Sequence, residues 1–311
     1  MSSLACRRNG GVRSKGMRFF ISCLVSLLAL ACTPVVERPS VDTPPVKPPE
    51  AGVEPPVAAQ AAVIAPPVPT PPPVGHEPAR VGPVAVPRLV SGVFSGVSLE
   101  GVAFDSRSHR LRVVDQDGLP GARFANAAAA AMRVGGIAAV NGGFFTPEGE
   151  PLGLVMAGGQ RLGAWNAGSP IGTGVWHEDA AGKSAISRRE ALGRGRAATM
   201  RELMQSGPML VERGRAVAGL ENAKSSARTI ILWDGGHRWW IGRSSPCTLA
   251  RCAEILAASS PAGWPVRHAL NLDGGRSSEL WVSGAVGGGP LVSRPPWNRP
   301  VRNFLVLLPR S

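Results

Sequence analysis

Two stretches of the chain end an apolar run on a polar residue followed by a glycine pair. Ala139-Val140-Asn141-Gly142-Gly143 is one, and Leu270-Asn271-Leu272-Asp273-Gly274-Gly275 is the other. Short apolar runs of this kind read as buried strands. Asn and Asp at their ends aim donors and acceptors into the space beyond a sheet. Glycine there lets the backbone turn sharply and lets a ligand approach main-chain amides. One such loop is explained as well by an Asx turn that satisfies its own backbone. Two in one chain point to a shared cavity.

Only Asp273 places a carboxylate in such a loop; Asp105, Glu148, Glu150 and Glu202 are less well placed. The five histidines are isolated and form no ligand pair at helical spacing, so no metal is required. A Ca or Mg ion held by Asp273 and Asn271 is the one metal reading left open. The chain has no Gly-x-Ser-x-Gly elbow, so Ser277 and Ser278 are expected to bond loop backbone rather than attack substrate.

The elements that must position these loops alternate short strands with a few helices. Strands are expected at Val97–Phe104, Arg110–Val114, Ile137–Val140, Leu152–Met156, Gly172–Trp176, Met209–Val211, Thr229–Trp233, Arg238–Ile241, Ala269–Leu272, Glu279–Val282 and Phe304–Leu308. Asp234-Gly235-Gly236-His237 reads as a hairpin turn. Helices are expected over Phe124–Val134, stopped by Gly135-Gly136, and over Thr248–Ala258 with Thr248 as cap. Thr199–Met204 reads as one or two helical turns. Trp239 and Trp240 are adjacent on a strand and point to opposite faces, so one of them is expected to face out. The class is α+β, a mixed sheet with a few packing helices, and the folded part spans residues 90–311.

The motifs then add up in order. Asn141-Gly142-Gly143-Phe144-Phe145, with Gly149-x-Pro151-x-Gly153-Leu154-Val155 after it, resembles the phosphodiester glycosidase family. So do Gln205-Ser206-Gly207-Pro208-Met209-Leu210-Val211, Arg228-Thr229, Asn271-Leu272-Asp273-Gly274-Gly275-x-Ser277-Ser278, and Arg302-Asn303 before the last apolar strand. Arg276 departs from the pattern, since that position is often glycine in the family. The resemblance implies hydrolysis of a sugar joined through its anomeric carbon to phosphate.

Most glycosidases use two carboxylates. A phosphate is already a good leaving group and needs charge stabilisation more than a proton. On that footing Asp273 is expected to act as base, nucleophile or oxocarbenium stabiliser, with Arg228 as a planar clamp on phosphate oxygens. Asn141, Gly142, Gly143, Gln205, Ser206, Gly207, Asn271, Gly274, Gly275 and Ser277 are the expected substrate contacts. The rival readings are a non-catalytic envelope polysaccharide-binding lipoprotein of the same fold and a structural tether.

The N-terminal third is built differently. Arg7, Arg8, Arg13, Lys15 and Arg18 precede an apolar run from Phe19 to Ala31 that is short for a membrane span. Ala29-Leu30-Ala31-Cys32 resembles a bacterial lipobox with Cys32 as the lipidated residue, so 1–32 is expected to be an export signal read from Met1 or Met17. Residues 33–87 hold more than half of the chain's 30 prolines and no aromatic residue, a composition that cannot bury a core. They read as a Pro-rich disordered linker between a lipid anchor in the membrane and the domain. The expected location is outside the cytoplasm, as a periplasmic or outer-membrane-anchored lipoprotein of a Gram-negative cell.

The net charge of +13 comes mainly from scattered arginines. No nucleic-acid-binding motif accompanies them, so an envelope polysaccharide or phosphosugar is the expected partner and nucleic acid is not. Cys6 and Cys23 would leave with the signal. Cys247 and Cys252 stay in the domain, where a disulfide or two packed thiols both fit the spacing.

Overall fold

The computed structural model describes residues 85–310. The signal segment, Cys32 and almost all of the Pro-rich stretch therefore lie outside the described residues.

Three antiparallel sheets share one core. The first has seven strands in the spatial order Arg88–Phe94, Val97–Asp105, Arg238–Ser244, Thr229–Trp233, His268–Asn271, Met209–Glu212, Arg215–Ala216. The second runs Leu291–Ser293, Leu280–Val282, Ala138–Asn141, Asn303–Pro309, His109–Asp115. The third runs Gln160–Leu162, Val155–Ala157, Glu202–Ser206, Gly174–Glu178, Ser184–Arg188. With four helices among the described residues, the α+β class is what the structure shows, mostly sheet with few helices.

Strand alternation explains how three sheets stay buried on both faces. Val102, Phe104, Trp239 and Ile241 of the first sheet meet Val140, Leu305 and Leu307 of the second and Val155, Trp176 and Met204 of the third in the central core. The other face of each sheet carries its own cover. On the first sheet, Leu99, Ile230, Leu232 and Trp240 pack against Cys252, Ile255 and Leu256 of helix Leu249–Ala258. On the second, Ala139, Phe304 and Val306 pack against Ala127, Ala130 and Ala131 of helix Ala127–Arg133. The helical turns Arg189–Leu192 and Arg194–Ala197 lie over the third, where Leu192 and Ala197 meet Val175 and Leu203.

Trp239 and Trp240 do point to opposite faces, but both are 1 % exposed. The expectation that one faces solvent fails because each face of that sheet is covered. A second difference lies at Thr199–Met204. The segment from Glu202 is a strand, and the helical turns come before it. Glu202 shows why: its Oε2 accepts from Val113 N at 2.9 Å and its Oε1 from Gly158 N at 3.1 Å. That carboxylate stitches the second sheet to the third. A local helix propensity loses to such long-range pairing.

The caps follow the sequence closely. Thr248 accepts from Arg251 N at the start of its helix. Asn126 accepts from Ala129 N, so the first helix begins at Ala127 rather than at Phe124.

Candidate functional site

The central strand of the second sheet and the strand His268–Asn271 of the first each deliver one glycine-paired loop, and the two loops are tied together. Asp273 N donates to Gly142 O at 3.1 Å. Asn141 is fully buried, and its side chain completes the join. Its Nδ2 donates to Asp273 O at 2.7 Å, while its Oδ1 accepts from Thr229 Oγ1 at 2.7 Å and Glu279 N at 3.1 Å. Those bonds satisfy the amide, so Asn141 holds the wall rather than touching what enters the cavity.

The first loop's amides are committed as well. Gly142 N donates to Asn303 O at 2.8 Å, and Gly143 N to Asn303 Oδ1 at 3.0 Å. A Cβ on Gly142 would collide with that same Asn303 side chain. Gly142 makes room for Asn303, and a Cβ on Gly143 would stand 2.9 Å from Met204 Sδ. The Asn141 amide and the Gly142 and Gly143 N–H groups, expected as substrate contacts, thus have partners within the protein.

Gln205 and Gly207 are likewise engaged by protein groups. Gln205 Oε1 accepts from Leu154 N and Asn166 N, and its Nε2 donates to Asn166 O and Gly172 O. Gly207 O accepts from Asn271 Nδ2 at 2.9 Å, and a Cβ at Gly207 would stand 2.7 Å from Pro170 O. Three nearby polar atoms are different. Ser206 Oγ, Asn271 Oδ1 and Asn303 Nδ2 are buried without a protein partner. Buried polar groups left this way are exceptions in folded proteins.

The second loop holds a carboxylate. Asp273 Oδ1 accepts from Gly274 N at 2.9 Å, and the Ser277 side chain hydrogen-bonds the carboxylate. Burial dominates its titration, pushing it from the usual carboxylate range to about 6, while the Ser277 and Gly274 bonds pull the other way. Such a group is ionised at neutral pH yet more basic than an exposed aspartate. Gly275 N is used by Ala227 O at 2.8 Å, and a Cβ on Gly274 would lie 2.5 Å from the same carbonyl. The loop amides thus shape the turn and hold the carboxylate.

Gly274 and Ser277 form part of the wall of a cavity of about 650 Å³. Its opposite wall is Phe145, Thr146 and Pro147, directly after the first glycine pair, with Leu119, Pro120 and Pro300 closing it. Arg302 steadies that wall. Its Nη1 donates to Gly149 O at 2.7 Å while Nε and Nη2 grip Asp115. Arg276 and Arg299 are the cations in the lining. Glu148 and Glu150 are exposed on the loop beside it.

Arg228 is elsewhere. Its Nε donates to Cys247 O at 3.0 Å and its Nη2 to Lys224 O at 2.8 Å. It is 9 % exposed and lines none of the cavities beside the loop. Its Nε and Nη2 are thus directed at two backbone carbonyls. Cys247 and Cys252 are free and buried, and their thiols hydrogen-bond one another.

Asp105 and Glu202 are buried in structural pairings, Asp105 with Arg107 and Glu202 with the two sheet amides described above. Among the described residues, no group of three or more His, Cys, Asp or Glu side chains is gathered to hold a metal ion.

Chain comparison decides what this architecture belongs to. The family model for phosphodiester glycosidase matches residues 135–308, more than half of the chain, and spans both glycine-paired loops. The chain belongs to the phosphodiester glycosidase family. Among solved structures, it is similar to the catalytic domain of zebrafish N-acetylglucosamine-1-phosphodiester α-N-acetylglucosaminidase, auto-inhibited by its pro-peptide. That match has 19 % identity and a TM-score of 0.53, over 74 % of this chain and 85 % of that one. A hypothetical protein from Synechocystis matches at 17 % identity and a TM-score of 0.51, over 75 % of this chain and 65 % of that one. At these identities the structural likeness is one of fold. A search of curated proteins gave no significant match.

Four residues in or beside these loops escape sequence reasoning. Asn303 was visible as part of the terminal motif, but not as the partner of Gly142 and Gly143. Arg299 and Trp297 sit in a proline-flanked loop with no periodicity to mark them. Glu279 is 3 % exposed, and burial raises it to about 7 despite Arg294 at 3.1 Å and the Ala127 amide. Its side chain faces helix Ala127–Arg133, away from the cavity.

Proposed function

We propose that the chain hydrolyses a sugar-1-phosphodiester in a cell-envelope glycan or glycoconjugate. Family membership supports hydrolysis of phosphodiester glycosides. The observation that carries the rest is Asp273, a half-buried carboxylate of raised pKa whose partners Gly274 and Ser277 line a cavity with two arginines.

In this reaction water adds to the anomeric carbon, the bond from that carbon to the phosphate oxygen breaks, and the phosphate departs as a monoester. Asp273 takes the water's proton or stabilises the oxocarbenium character of the sugar. Arg276 and Arg299 offset the charge that collects on the leaving phosphate. The surface of the described part is rich in arginine, which suits an acidic polymer as substrate.

We also propose the architecture read from the sequence: an export signal to Cys32, a lipid anchor there, a Pro-rich tether to residue 87, and the hydrolytic domain after it.

A non-catalytic polysaccharide-binding lipoprotein of the same fold is the second reading, favoured by the distance of the Arg228 guanidinium from the cavity wall. A screen of the purified chain against sugar-1-phosphodiesters and envelope polysaccharides, with Asp273→Ala alongside, separates the two. The hydrolase reading expects release of a phosphate monoester by the parent chain only. Binding without release by either form supports the second reading.

A further inference from the structure

Helix Leu249–Ala258 carries a cysteine on each side of its first turn. Thr248 is the cap, so Cys247 stands one residue before it and Cys252 is the fourth residue of the helix. Side chains at those two positions meet, and an apolar pair there ordinarily staples the incoming chain to its helix. Here both are cysteines, both are buried, and their thiols hydrogen-bond one another. As filler a thiol is small; what the pair adds to a staple is the capacity to become covalent.

Their surroundings make the two thiols unequal. The bond from Cys252, then Ser244 Oγ at 3.5 Å and the Arg228 guanidinium, hold Cys247 below the usual thiol range against the opposing effect of burial. Cys252 donates that bond and is the more deeply buried, and both effects push it up. Cys247 is therefore the thiol fitted to attack, and Cys252 the one fitted to resolve.

The pair also stands behind the Asp-Gly-Gly loop. Cys247 N donates to Ser226 O at 3.0 Å, and Ser226 N donates to Cys247 O at 3.1 Å. Arg228 Nε donates to the same Cys247 carbonyl. Between those two residues, Ala227 O accepts from Gly275 N at 2.8 Å. Ser226, Ala227, Pro246 and Gly275 line one cavity of about 340 Å³, so the residues around Cys247 and the loop open on the same recess.

We propose that Cys247 and Cys252 are a redox site, closed to a disulfide by a protein or small-molecule disulfide, and that closure stiffens the Ser226–Arg228 segment on which the Asp-Gly-Gly loop rests. The Cys247 thiolate attacks one sulfur of the oxidant, forming a mixed disulfide and releasing the other sulfur as a thiolate. Cys252 loses its proton and attacks Cys247 Sγ, forming the internal S–S bond and expelling the second thiolate. The cysteines give up two electrons and two protons, and the oxidant leaves as two thiols. Access comes from opening the first helical turn, which Cys252 N closes onto Thr248 O and where Arg251 is already exposed. The site stands whether or not the chain hydrolyses a phosphodiester.

Trypsin cuts after Arg243, Arg251 and Arg267, which puts Cys247 and Cys252 on separate peptides. The folded full chain is treated with oxidised glutathione, alkylated, digested without reductant and mapped by mass spectrometry. The two peptides should be recovered joined, and dithiothreitol should part them. In Cys252→Ala, glutathione should remain on Cys247; in Cys247→Ala, Cys252 should react at least about tenfold more slowly. Hydrogen exchange in the oxidised parent should slow about tenfold at Ser226–Arg228 and Gly275 and stay unchanged at Gly142 and Gly143. Two separately alkylated peptides after oxidation, equal labelling of the two single variants, or exchange identical in the two redox states overturns the proposal.

Discussion

The two glycine-paired loops look alike in sequence and differ in what their polar residue is free to do. Asn141 has its amide bonded to three backbone or side-chain partners across two other segments, and none of it reaches the cavity. Asp273 has its main chain held by that same network, through Gly142 O and Asn141 Nδ2, while its carboxylate is held only by its own loop. One loop is the bracket and the other is what the bracket holds. Similar motifs diverge because a buried amide fully satisfied by protein groups has little left to offer a ligand, whereas Asp273 keeps a raised carboxylate bonded to Gly274 and Ser277, which line the cavity.

Substituting each loop's polar residue should therefore damage different properties. The largest stability effect is expected at Asn141. Asn141→Ala strands the Glu279 amide and the Asp273 carbonyl and leaves the Thr229 hydroxyl only Ser278 Oγ, and should lower unfolding free energy by about 2–4 kcal/mol, read by denaturant titration. Loss of activity in that variant should track loss of folded protein. Stability equal to the parent chain would sink the bracket role.

The next effect concerns the arginines. Arg276→Ala should lower kcat/KM on a sugar-1-phosphodiester roughly 10–100-fold, or about 1.4–2.8 kcal/mol of transition-state stabilisation, with the melting temperature unchanged. Arg228→Lys should do the reverse. It gives up a planar grip on two carbonyls and should cost about 1–2 kcal/mol of stability, with kcat/KM of the folded fraction close to the parent value. A reversed pattern would return the phosphate role to Arg228.

The smallest effect is a pH-dependent gain. Burial pushes the Asp273 carboxyl to about 6 in the folded chain, against an ordinary value of 3.8. Between those values the folded state holds more protons than the unfolded state, so this group's contribution falls as pH rises, and its cost is complete above about pH 6. Asp273→Asn should thus stabilise the chain at pH 8 by on the order of 1–2 kcal/mol, and the gain should disappear by about pH 4. Thermal unfolding at the two pH values checks it. A variant no more stable at pH 8 than at pH 4, relative to the parent, would count against a buried, strained carboxylate.

Much of this was legible in the sequence, for identifiable reasons. Apolar runs ending in Asn-Gly-Gly and Asp-Gly-Gly marked both strand ends, and Thr248 marked its helix cap, because those signals are local. The partners were not local. Asn303 stands 160 residues from the Gly143 it serves, and Glu202 supports amides of two different sheets. One of Trp239 and Trp240 was expected to face out because no sequence signal announced that a helix would cover the Trp240 face of the sheet. Arg228 fits a phosphate clamp by type and by motif, and only the fold shows its guanidinium turned onto the Cys247 and Lys224 carbonyls.

The central claim, that the second loop carries the chemistry, is tested most directly by the pH profile of kcat/KM for a sugar-1-phosphodiester, measured on the parent chain and on Asp273→Asn. The parent should lose activity tenfold per pH unit below about pH 6, as the raised Asp273 carboxyl gains its proton. The variant should be folded and at least about a thousandfold slower across the whole range. A variant that keeps parental activity, or a parent profile flat down to pH 4, would contradict the assignment of Asp273.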